Sequence, residues 1–459
     1  MKLRLLNIIT SLFVISCMTT SCLDSDSDIL YDYSSAASIT AFSIGDIETP
    51  FDTKVNGKDT TLTATVKGAN YPFIIDQSLG LIYNVDSLPV GTNVKKVVPE
   101  ISADGYVYIV AETDSVWEEK DSLNFENPIK FKVMAMDGTF GRIYTAKVNV
   151  HQQDPEGMTW NKISSNFDKN IGKQKAVYFN QQIYVFAEQE EQVAVTVADP
   201  QNAGQWSDLQ TIDIPEKADY TSVVVWGESL YMLASNELYC SDNGINWTKV
   251  ATDQKLNSLV ASVDMADSQK LVGITTDNFY TESVDGSSWT TYEAIPAEFP
   301  QGIYSFACYP LETNNQINRL VLMGQNDIAD DTTNVVWTQF ATEQEWIPLY
   351  MEDNANNCPN LENSSMIHYN HQLYVFGGPG KNNDSAKAFD YLYRSNDNGI
   401  GWTPITEKAL FPEEFASLYT AADGNYSCVV DENHFLWIMW GKTGEVWRGR
   451  INRLGFINQ

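Results

Sequence analysis

A tryptophan followed three positions later by a hydrophobic residue recurs in this chain as a series of six copies spaced 41 to 57 residues apart. The six copies begin at Trp160, Trp206, Trp247, Trp289, Trp346 and Trp402. A repeat of about 40–50 residues, with an aromatic residue at the same place in each copy, is typical of a β-propeller. Each copy then forms one blade of four strands. An elongated β-array with coincidental tryptophans is the alternative.

A short apolar strand pattern also occurs six times, and it is out of phase with the tryptophan by one copy. Its copies begin at Ile183, Leu230, Leu271, Leu320, Leu373 and Leu436. The chain is therefore predicted to be all-β, with a six-bladed propeller over residues 158–459. Because Trp160 precedes the first strand copy, we expect the strand around it to complete the last blade beside Arg448–Asn452. Such closure leaves no open sheet edge.

The N-terminus has the pattern of a secretory signal peptide, predicted over residues 1–21. Two basic residues precede an apolar run, Leu5 to Ile15, that is too short to span a bilayer. The small residue Ser21 and then Cys22 follow, and this arrangement resembles the bacterial lipoprotein signal. The resemblance implies that Cys22 carries the lipid and becomes the mature N-terminus. Cys17 is the alternative site.

An acidic stretch, residues 23–28, directly follows Cys22 and resembles the surface-export signal of Bacteroidetes lipoproteins. We therefore expect an outer-membrane protein, held by acyl chains and facing the cell exterior. Residues 22–37 are polar and acidic, and they are predicted to form a flexible tether.

Residues 38–152 contain about seven strand-like segments separated by turn signals. They are predicted over 39–44, 60–66, 73–83, 97–101, 106–111, 129–135 and 143–150. This density suggests an Ig-like or cadherin-like β-sandwich, although the Cys…Trp…Cys pattern of antibody domains is absent. We expect Asp137-Gly138 to form a hairpin turn and the domain to act as a spacer.

The chain is strongly acidic, with a net charge of −31 at pH 7. Phosphate binding needs Lys and Arg, so nucleic acid is not an expected partner. The charge is compatible with neutral sugars, cations or basic protein surfaces, and it also gives plain solubility. Cys308 and Cys428 lie in equivalent strands of blades that are not neighbours, so both are expected to be small buried core residues. Free thiols are therefore expected at Cys240, Cys308, Cys358 and Cys428, with disulfides as the alternative.

Ser395-Asn-Asp-Asn-Gly-Ile-Gly-Trp402 matches the Asp-box pattern, which occurs in sialidases and many other propellers. A second match starts at Cys240, and a degenerate one starts at Glu282. In such a motif Asp accepts backbone N–H groups, Gly takes a positive φ and Trp packs beneath the turn. The turn joins the third and fourth strands of a blade, so the motif indicates a fold and not an active site.

The sequence lacks the residue sets that two known classes of propeller enzyme need. A sialidase needs three arginines around a carboxylate, and the propeller has only Arg319, Arg394, Arg448, Arg450 and Arg453, three of them in one segment. A copper oxidase needs paired histidines. His371 and His434 instead occupy the tight turn where Gln181 stands in another blade. No metal, cofactor or catalytic residue is predicted.

Taken with Gly377-Gly378 after Val375-Phe376, these features resemble a family of Bacteroidetes surface lipoproteins. Its members combine an Ig-like N-terminal domain with a kelch-like propeller, similar to the central domain of galactose oxidase. The resemblance implies surface exposure and binding, and it supplies no active site.

The loops that join the second to the third strand, and each blade to the next, share one face of a propeller and are the longer ones here. Trp440 is the leading candidate anchor on that face, with packing between blades as its alternative. The other candidates are Tyr220, Phe299, Phe415, Tyr419, Asn326, Asp327 and Lys381.

Three functions fit these observations. The first is a non-enzymatic surface lipoprotein that binds a glycan or a protein through the propeller face. The second is a glycan-active hydrolase or lyase, which would need two facing carboxylates in the central funnel. The third is a structural subunit of an outer-membrane complex.

Overall fold

The computed structural model describes residues 33–55, 58–190, 192–202, 204–215, 217–263, 269–325, 333–349, 356–381 and 386–456. Strands account for 51% and helices for 5%, so the fold class is all-β. The chain divides into two compact units, Met1–Gln152 and Gln153–Gln459.

The first unit contains ten strands among its described residues. They are β1 (Ile39–Ile44), β2 (Ile47–Val55), β3 (Lys58–Val66), β4 (Phe73–Asp76), β5 (Leu81–Asn84), β6 (Pro99–Ala103), β7 (Tyr106–Ile109), β8 (Ser115–Val116), β9 (Ile129–Met134) and β10 (Phe140–Lys147). They form a six-stranded sheet, β4-β5-β10-β9-β7-β8, and the pairs β1–β6 and β2–β3. Short 3₁₀ turns cover Gly68–Asn70 and Val94–Lys96. Of these pairings, β5–β10 is parallel.

The core of the first unit lies under the six-stranded sheet, where β1 packs against inward side chains such as Phe131 and Tyr144. The predicted strand over residues 73–83 is two strands in the structure. Asp76 Oδ1 accepts the backbone N–H groups of Ser78 and Leu79 at 2.8 and 2.9 Å, and Gly80 has a φ of 67°. These local bonds stop β4 and turn the chain into β5.

The second unit is built from six four-stranded antiparallel sheets among its described residues. Sheets 1–5 each contain four consecutive strands. Their bounds are β12 (Gln174–Phe179), β13 (Gln182–Gln189), β14 (Gln192–Ala198) and β15 (Gln210–Thr211); β16 (Ala218–Trp226), β17 (Ser229–Ala234), β18 (Glu237–Ser241) and β19 (Thr248–Lys249); β20 (Leu256–Val263), β21 (Lys270–Thr275), β22 (Phe279–Ser283) and β23 (Thr290–Ala294); β24 (Gln301–Leu311), β25 (Asn314–Gln325), β26 (Val335–Phe340) and β27 (Ile347–Pro348); β28 (Ser365–Tyr369), β29 (Gln372–Phe376), β30 (Tyr393–Ser395) and β31 (Thr403–Pro404).

Sheet 6 joins the two ends of this unit. It contains β32 (Tyr426–Val430), β33 (Leu436–Trp440), β34 (Glu445–Ile451) and, as its outer strand, β11 (Met158–Ile163). Met158 lies opposite Ile451, and Trp160 lies opposite Gly449. The predicted pairing of the Trp160 strand with the Arg448–Asn452 segment is therefore confirmed.

The first strands of the six sheets contact one another in chain order, from β12 through β16, β20, β24 and β28 to β32, and β32 contacts β12. Hydrogen bonds join some of them. Lys175 Nζ donates to Thr221 O at 2.6 Å, and Ser427 Oγ contacts Gln174 Oε1 at 3.2 Å. The sheets are thus linked through their innermost strands.

Asp-box turns join the third and fourth strands, as predicted, but two of them have a different register. Ser241 and Asn243, rather than Cys240 and Asp242, form the turn before Trp247, because Ser241 Oγ accepts Gly244 N and Asn243 Oδ1 accepts Ile245 N, both at 2.9 Å. The turn expected to be degenerate has the same geometry. There Ser283 Oγ accepts Gly286 N at 2.8 Å and Asp285 Oδ1 accepts Ser287 N at 2.8 Å.

A buried ion pair within sheet 3 is hydrogen-bonded to Gln339 of sheet 4. Lys270 Nζ binds Glu282 Oε1, and it also contacts Gln339 Oε1 at 3.3 Å. The Tyr280 hydroxyl donates to the same Glu282 oxygen and accepts a bond from Gln339 Nε2 at 3.1 Å. The lysine and the glutamate are 5% and 9% exposed, so this network lies inside the unit.

Helix α1 (Glu414–Ala421) lies in the connection between sheets 5 and 6, and a 3₁₀ turn covers each of Pro200–Asn202 and Asn452–Gly455. Among the described residues no helix is long and apolar enough to cross a membrane. Cys240, Cys308, Cys358 and Cys428 are all free, as predicted, although only Cys358 is fully buried.

Candidate ligand-binding face of the propeller

At one end of each sheet, the first strand begins and the second strand ends. In sheet 1, Gln174 lies opposite Ala187, so the residues that begin β12 and those that end β13 come together. The start of β16 reaches the same end, because Lys175 at the start of β12 bonds to Thr221. This is the end at which the sequence predicted the binding face.

Five residues at this end form a polar group that we call the mouth cluster: Lys173, Lys175, Glu188, Asp219 and Tyr220. Lys175 lies partly buried between the first strands of sheets 1 and 2, where its ammonium group donates to Thr221 O. Burial lowers the pKa of Lys175 to about 8, and the nearby Asp219 carboxylate opposes that shift.

Asp219 holds the backbone of β16 while keeping one oxygen available. Its Oδ1 accepts the N–H of Thr221 at 2.9 Å and the hydroxyl of Thr221 at 2.6 Å. Oδ2 receives no hydrogen bond from the described residues, and the side chain is exposed. A bulge between Asp219 and Val224 lets this segment depart from regular pairing with β17.

Tyr220 is half-buried beside the two carboxylates of the cluster. Burial first, and then the charges of Glu188 and Asp219, raise the pKa of Tyr220 to about 12. The phenol therefore stays protonated at neutral pH and is a hydrogen-bond donor. Glu188 forms an ion pair with the exposed Lys173 at 3.2 Å.

The cluster thus presents one ammonium group in an ion pair, one phenol O–H and one carboxylate oxygen free to accept. Such a set can hydrogen-bond the hydroxyl or amide groups of a polar ligand. It contains no thiol or hydroxyl with a lowered pKa, and burial raises the pKa of all four described cysteines.

The structure corrects the expectation for Trp440, which is fully buried and is not an exposed anchor. Its indole packs against Phe389, Phe415 and Tyr426, with ring centroids 4.9, 5.2 and 5.8 Å apart. The burial favours the alternative considered for this residue, packing between blades, since Phe389 lies between the second and third strands of sheet 5 and Trp440 lies in sheet 6.

Phe415 and Tyr419 are brought together with Trp440 but lie in the same aromatic core, on the buried side of α1. The Tyr419 hydroxyl accepts from Asn363 Nδ2 at 3.2 Å and occupies space that a side chain at Gly378 would need. Gly378, the second residue of the double glycine, is therefore required by the packing of α1.

The remaining candidates are scattered. Phe299 is buried against Trp337 and Trp346, with ring centroids 5.2 and 5.6 Å away. Lys381 is partly buried, and its backbone N–H donates to Asn360 O at 2.8 Å. Asn326 and Asp327 lie outside the described residues, as does Cys22. Of the predicted set, Tyr220 alone joins the mouth cluster among the described residues.

Sequence reasoning missed Lys173, Lys175, Glu188 and Asp219. A signal was present, since charged residues stand at both ends of the apolar β12–β13 hairpin and at the start of β16. Without the contact between sheets 1 and 2, however, nothing shows that these charges meet.

A shallow cleft of about 260 Å³ lies at the opposite end of the sheets. Amide and acidic side chains line it: Asn180, Gln181, Gln182, Asp199, Gln201, Glu432 and Asn433. His371 and His434 lie in turns at this end with φ of 61° and 60°, as the sequence predicted. The described part of the chain holds no group of three or more metal-binding side chains.

Two family models match this sequence. Residues 154–459 match the DUF6242 beta propeller domain, and residues 42–148 match the N-terminal domain of the same family, described as a domain of unknown function. The chain belongs to the DUF6242 family. Its second unit is therefore a β-propeller domain. No curated protein matches the sequence.

Solved structures similar to this DUF6242 chain include a DUF4623 family protein from Bacteroides eggerthii, at 10% identity and a TM-score of 0.36, covering 90% of this chain and 98% of the other. An auxiliary nutrient binding protein from Bacteroides ovatus shares 8% identity at a TM-score of 0.41, covering 78% and 94%. Virginiamycin B lyase from Staphylococcus aureus shares 9% identity at 0.37, covering 64% and 99%. Similarities this low transfer no ligand or activity.

Proposed function

We propose that this chain is a cell-surface lipoprotein that binds a glycan or a protein, without transforming it, through the mouth cluster of its propeller. The observation that carries the proposal is the proximity of a protonated Tyr220 phenol to the exposed carboxylate of Asp219, of which only one oxygen accepts hydrogen bonds. A donor and an acceptor held side by side on rigid strands suit a ligand that offers both groups.

In this proposal the six sheets are the six blades of one closed ring. Two observations support it: the cyclic contact of the first strands and the pairing of β11 with β34. A ring holds its blade-to-blade loops around one funnel, so the mouth cluster would sit at a fixed opening. The first unit would serve as an Ig-like spacer.

Binding is tested on a glycan array and by calorimetry with the strongest array ligand. Replacement of Tyr220 by Phe removes only the phenol O–H, so we expect affinity to fall about 2–10-fold, the equivalent of one neutral hydrogen bond. Asp219→Ala should cost about 10–100-fold, because it removes a charged acceptor.

Tyr178→Phe is the matched control. It makes the same change in β12, but at the other end of the strand, where Tyr178 lies opposite Ile183. Unchanged affinity in Tyr220→Phe together with a loss in Tyr178→Phe would move the site to the opposite face.

One observation favours the glycan-active alternative: the charges of Glu188 and Asp219 both raise the pKa of the Tyr220 phenol, so the two carboxylates lie near the same group. Two carboxylates at one opening are the minimum for glycoside hydrolysis. Release of reducing ends from the array ligand, lost in both Glu188→Gln and Asp219→Asn, would establish that function and refute the non-enzymatic one.

Surface anchoring rests on the signal-like sequence and on Cys22. Mass spectrometry of the N-terminal peptide should find diacylglycerol on that residue, and Cys22→Ala should abolish labelling by a fatty-acid probe. Full labelling of Cys22→Ala, with loss in Cys17→Ala, would reassign the anchor. Protection of the folded chain from protease added to intact cells would refute the outward orientation.

A further inference from the structure

The six-stranded sheet of the first unit has a face that its core does not cover. Antiparallel sheets with one solvated face usually carry polar residues on it. Here apolar side chains stand there instead, each between 38% and 57% exposed: Ile74, Leu81, Tyr106, Val116, Phe140 and Ile143. Exposed apolar surface of this extent marks interaction sites.

These side chains belong to one continuous surface. Residues directly opposite each other on paired strands point to the same side of a sheet. Ile143 lies opposite Lys132, which lies opposite Tyr108, and Met134 lies opposite both Tyr106 and Phe140. The surface crosses all six strands, a width of about 24 Å at ~4.8 Å per strand gap. We call it the outer sheet face.

Lysines outnumber carboxylates on the outer sheet face, although the chain as a whole carries a net charge of −31. Lys130, Lys132 and Lys147 stand there with Asp114 and with Asp76, which lies opposite Leu81. Lys130 on β9 and Lys147 on β10 are exposed and make no ion pair with the described residues. Lys132 pairs with Asp114 at 2.5 Å, and its ammonium group lies 4.1 Å from the centre of the Phe140 ring. A cation and an aromatic ring therefore stand side by side on this surface, with two further lysines on the same strands.

We propose that the outer sheet face binds an acidic polysaccharide, carboxylated or sulfated. Each sugar of such a polymer has an apolar C–H face and a charged edge. The C–H faces would pack on Tyr106 and Phe140, and the acidic groups would pair with Lys130 and Lys147. The face crosses six strands, so it has room for more than one sugar.

A protein partner fits this surface less well. The buried centre of a protein–protein interface is depleted of lysine. Here Lys130 and Lys132 occupy β9, near the middle of the sheet, and they interrupt the apolar area. A polymer that carries an anion on each unit meets these lysines with charge, whereas an apolar protein core would have to desolvate them.

The experiment measures binding of the full chain to polygalacturonate, heparin and neutral dextran by calorimetry at two salt concentrations. We expect binding to at least one acidic polymer, weakened by salt, and none to dextran. Polygalacturonate alone would identify carboxylates as the recognised group, and heparin alone would identify sulfates.

Lys130→Glu with Lys147→Glu should weaken binding at least about tenfold, since two charge-assisted contacts are lost. Lys96→Glu with Lys120→Glu makes the same charge change at exposed positions outside the outer sheet face. Tyr106→Ala should weaken binding about threefold or more. Tyr33→Ala, also at a residue 57% exposed, is its control.

Equal losses in the two double variants would overturn the proposal, because binding would then follow net charge alone. Failure to bind either acidic polymer would overturn it as well. A dimer in sedimentation that Tyr106→Ala dissociates would assign the face to a second copy of the chain. Tyr220→Phe should leave polymer binding unchanged, which separates this site from the mouth cluster.

Discussion

Truncation of Trp440 tests whether the aromatic core beneath α1 holds the propeller domain together. The side chain is fully buried, so Trp440→Ala removes about 200 Å² of apolar contact, the equivalent of about 5 kcal/mol at ~25 cal/mol per Å². That figure is an upper bound, since the unfolded chain already covers part of this surface.

The buried indole N–H of Trp440 has no hydrogen-bond partner among the described residues, so its removal adds no further loss. We therefore expect Trp440→Ala to lower the free energy of unfolding by about 3–4 kcal/mol, within the range known for truncated core tryptophans. Trp440→Phe keeps a ring against Phe389 and Phe415 and should cost only about 1–2 kcal/mol.

The assay is urea unfolding of the full chain, followed by circular dichroism and tryptophan fluorescence. Only the transition of the second unit should move. Val284→Ala, at an Asp-box residue that is 75% exposed, is the control and should cost less than about 0.5 kcal/mol. A loss below about 1 kcal/mol for Trp440→Ala would refute the buried assignment and restore this residue as a candidate anchor.

Three further predictions concern the sheets. A chain that begins at residue 170 lacks β11 and leaves an edge of β34 unpaired, so the second unit should lose cooperative unfolding in calorimetry; an unchanged melting profile would refute the role of β11. Lys270→Met leaves the Glu282 charge buried and should cost about 3–5 kcal/mol in urea unfolding, whereas Lys270→Met with Glu282→Leu should recover most of it; equal losses would contradict this. Burial lowers the pKa of Lys175 to about 8 in the folded state, so between pH 8 and 10.5 the unfolded chain binds more protons than the folded one. This residue therefore makes stability rise with pH in that window. The free energy of unfolding of wild type minus that of Lys175→Met should increase from pH 8 to 10.5, and a constant value would show that the amine is solvated.

The repeated tryptophan was informative because its role is local. In each Asp-box turn the indole N–H donates to a glycine three residues earlier, as Trp402 does to Gly399 at 3.0 Å. Sequence spacing can show a contact of that length. It was less able to fix the register, since the turn before Trp247 is built with one residue fewer between serine and glycine than the turn before Trp402.

The candidate site could not be read from the sequence to the same depth. Trp440 stands between a strand core and a loop, and its burial depends on Phe389, Phe415 and Tyr426, which come from three separate segments. Lys175 becomes part of the mouth cluster because Thr221 lies on the next sheet. Both outcomes depend on contacts between sheets, and no local pattern encodes them.

The position of β11 in sheet 6 has a consequence for biosynthesis. The hydrogen bond between Thr159 and Asn452 joins residues 293 positions apart. The first strand of the propeller domain, β11, therefore cannot pair until β34, the last described strand, has been made. During synthesis β11 has no partner until β34 is made, and sheets 1–5 can form before the sixth is complete. Pairings this distant in sequence are slow to form and leave strand edges open to aggregation. A chaperone that shields β11 until residue 451 has emerged would therefore act at the step where this protein is most vulnerable.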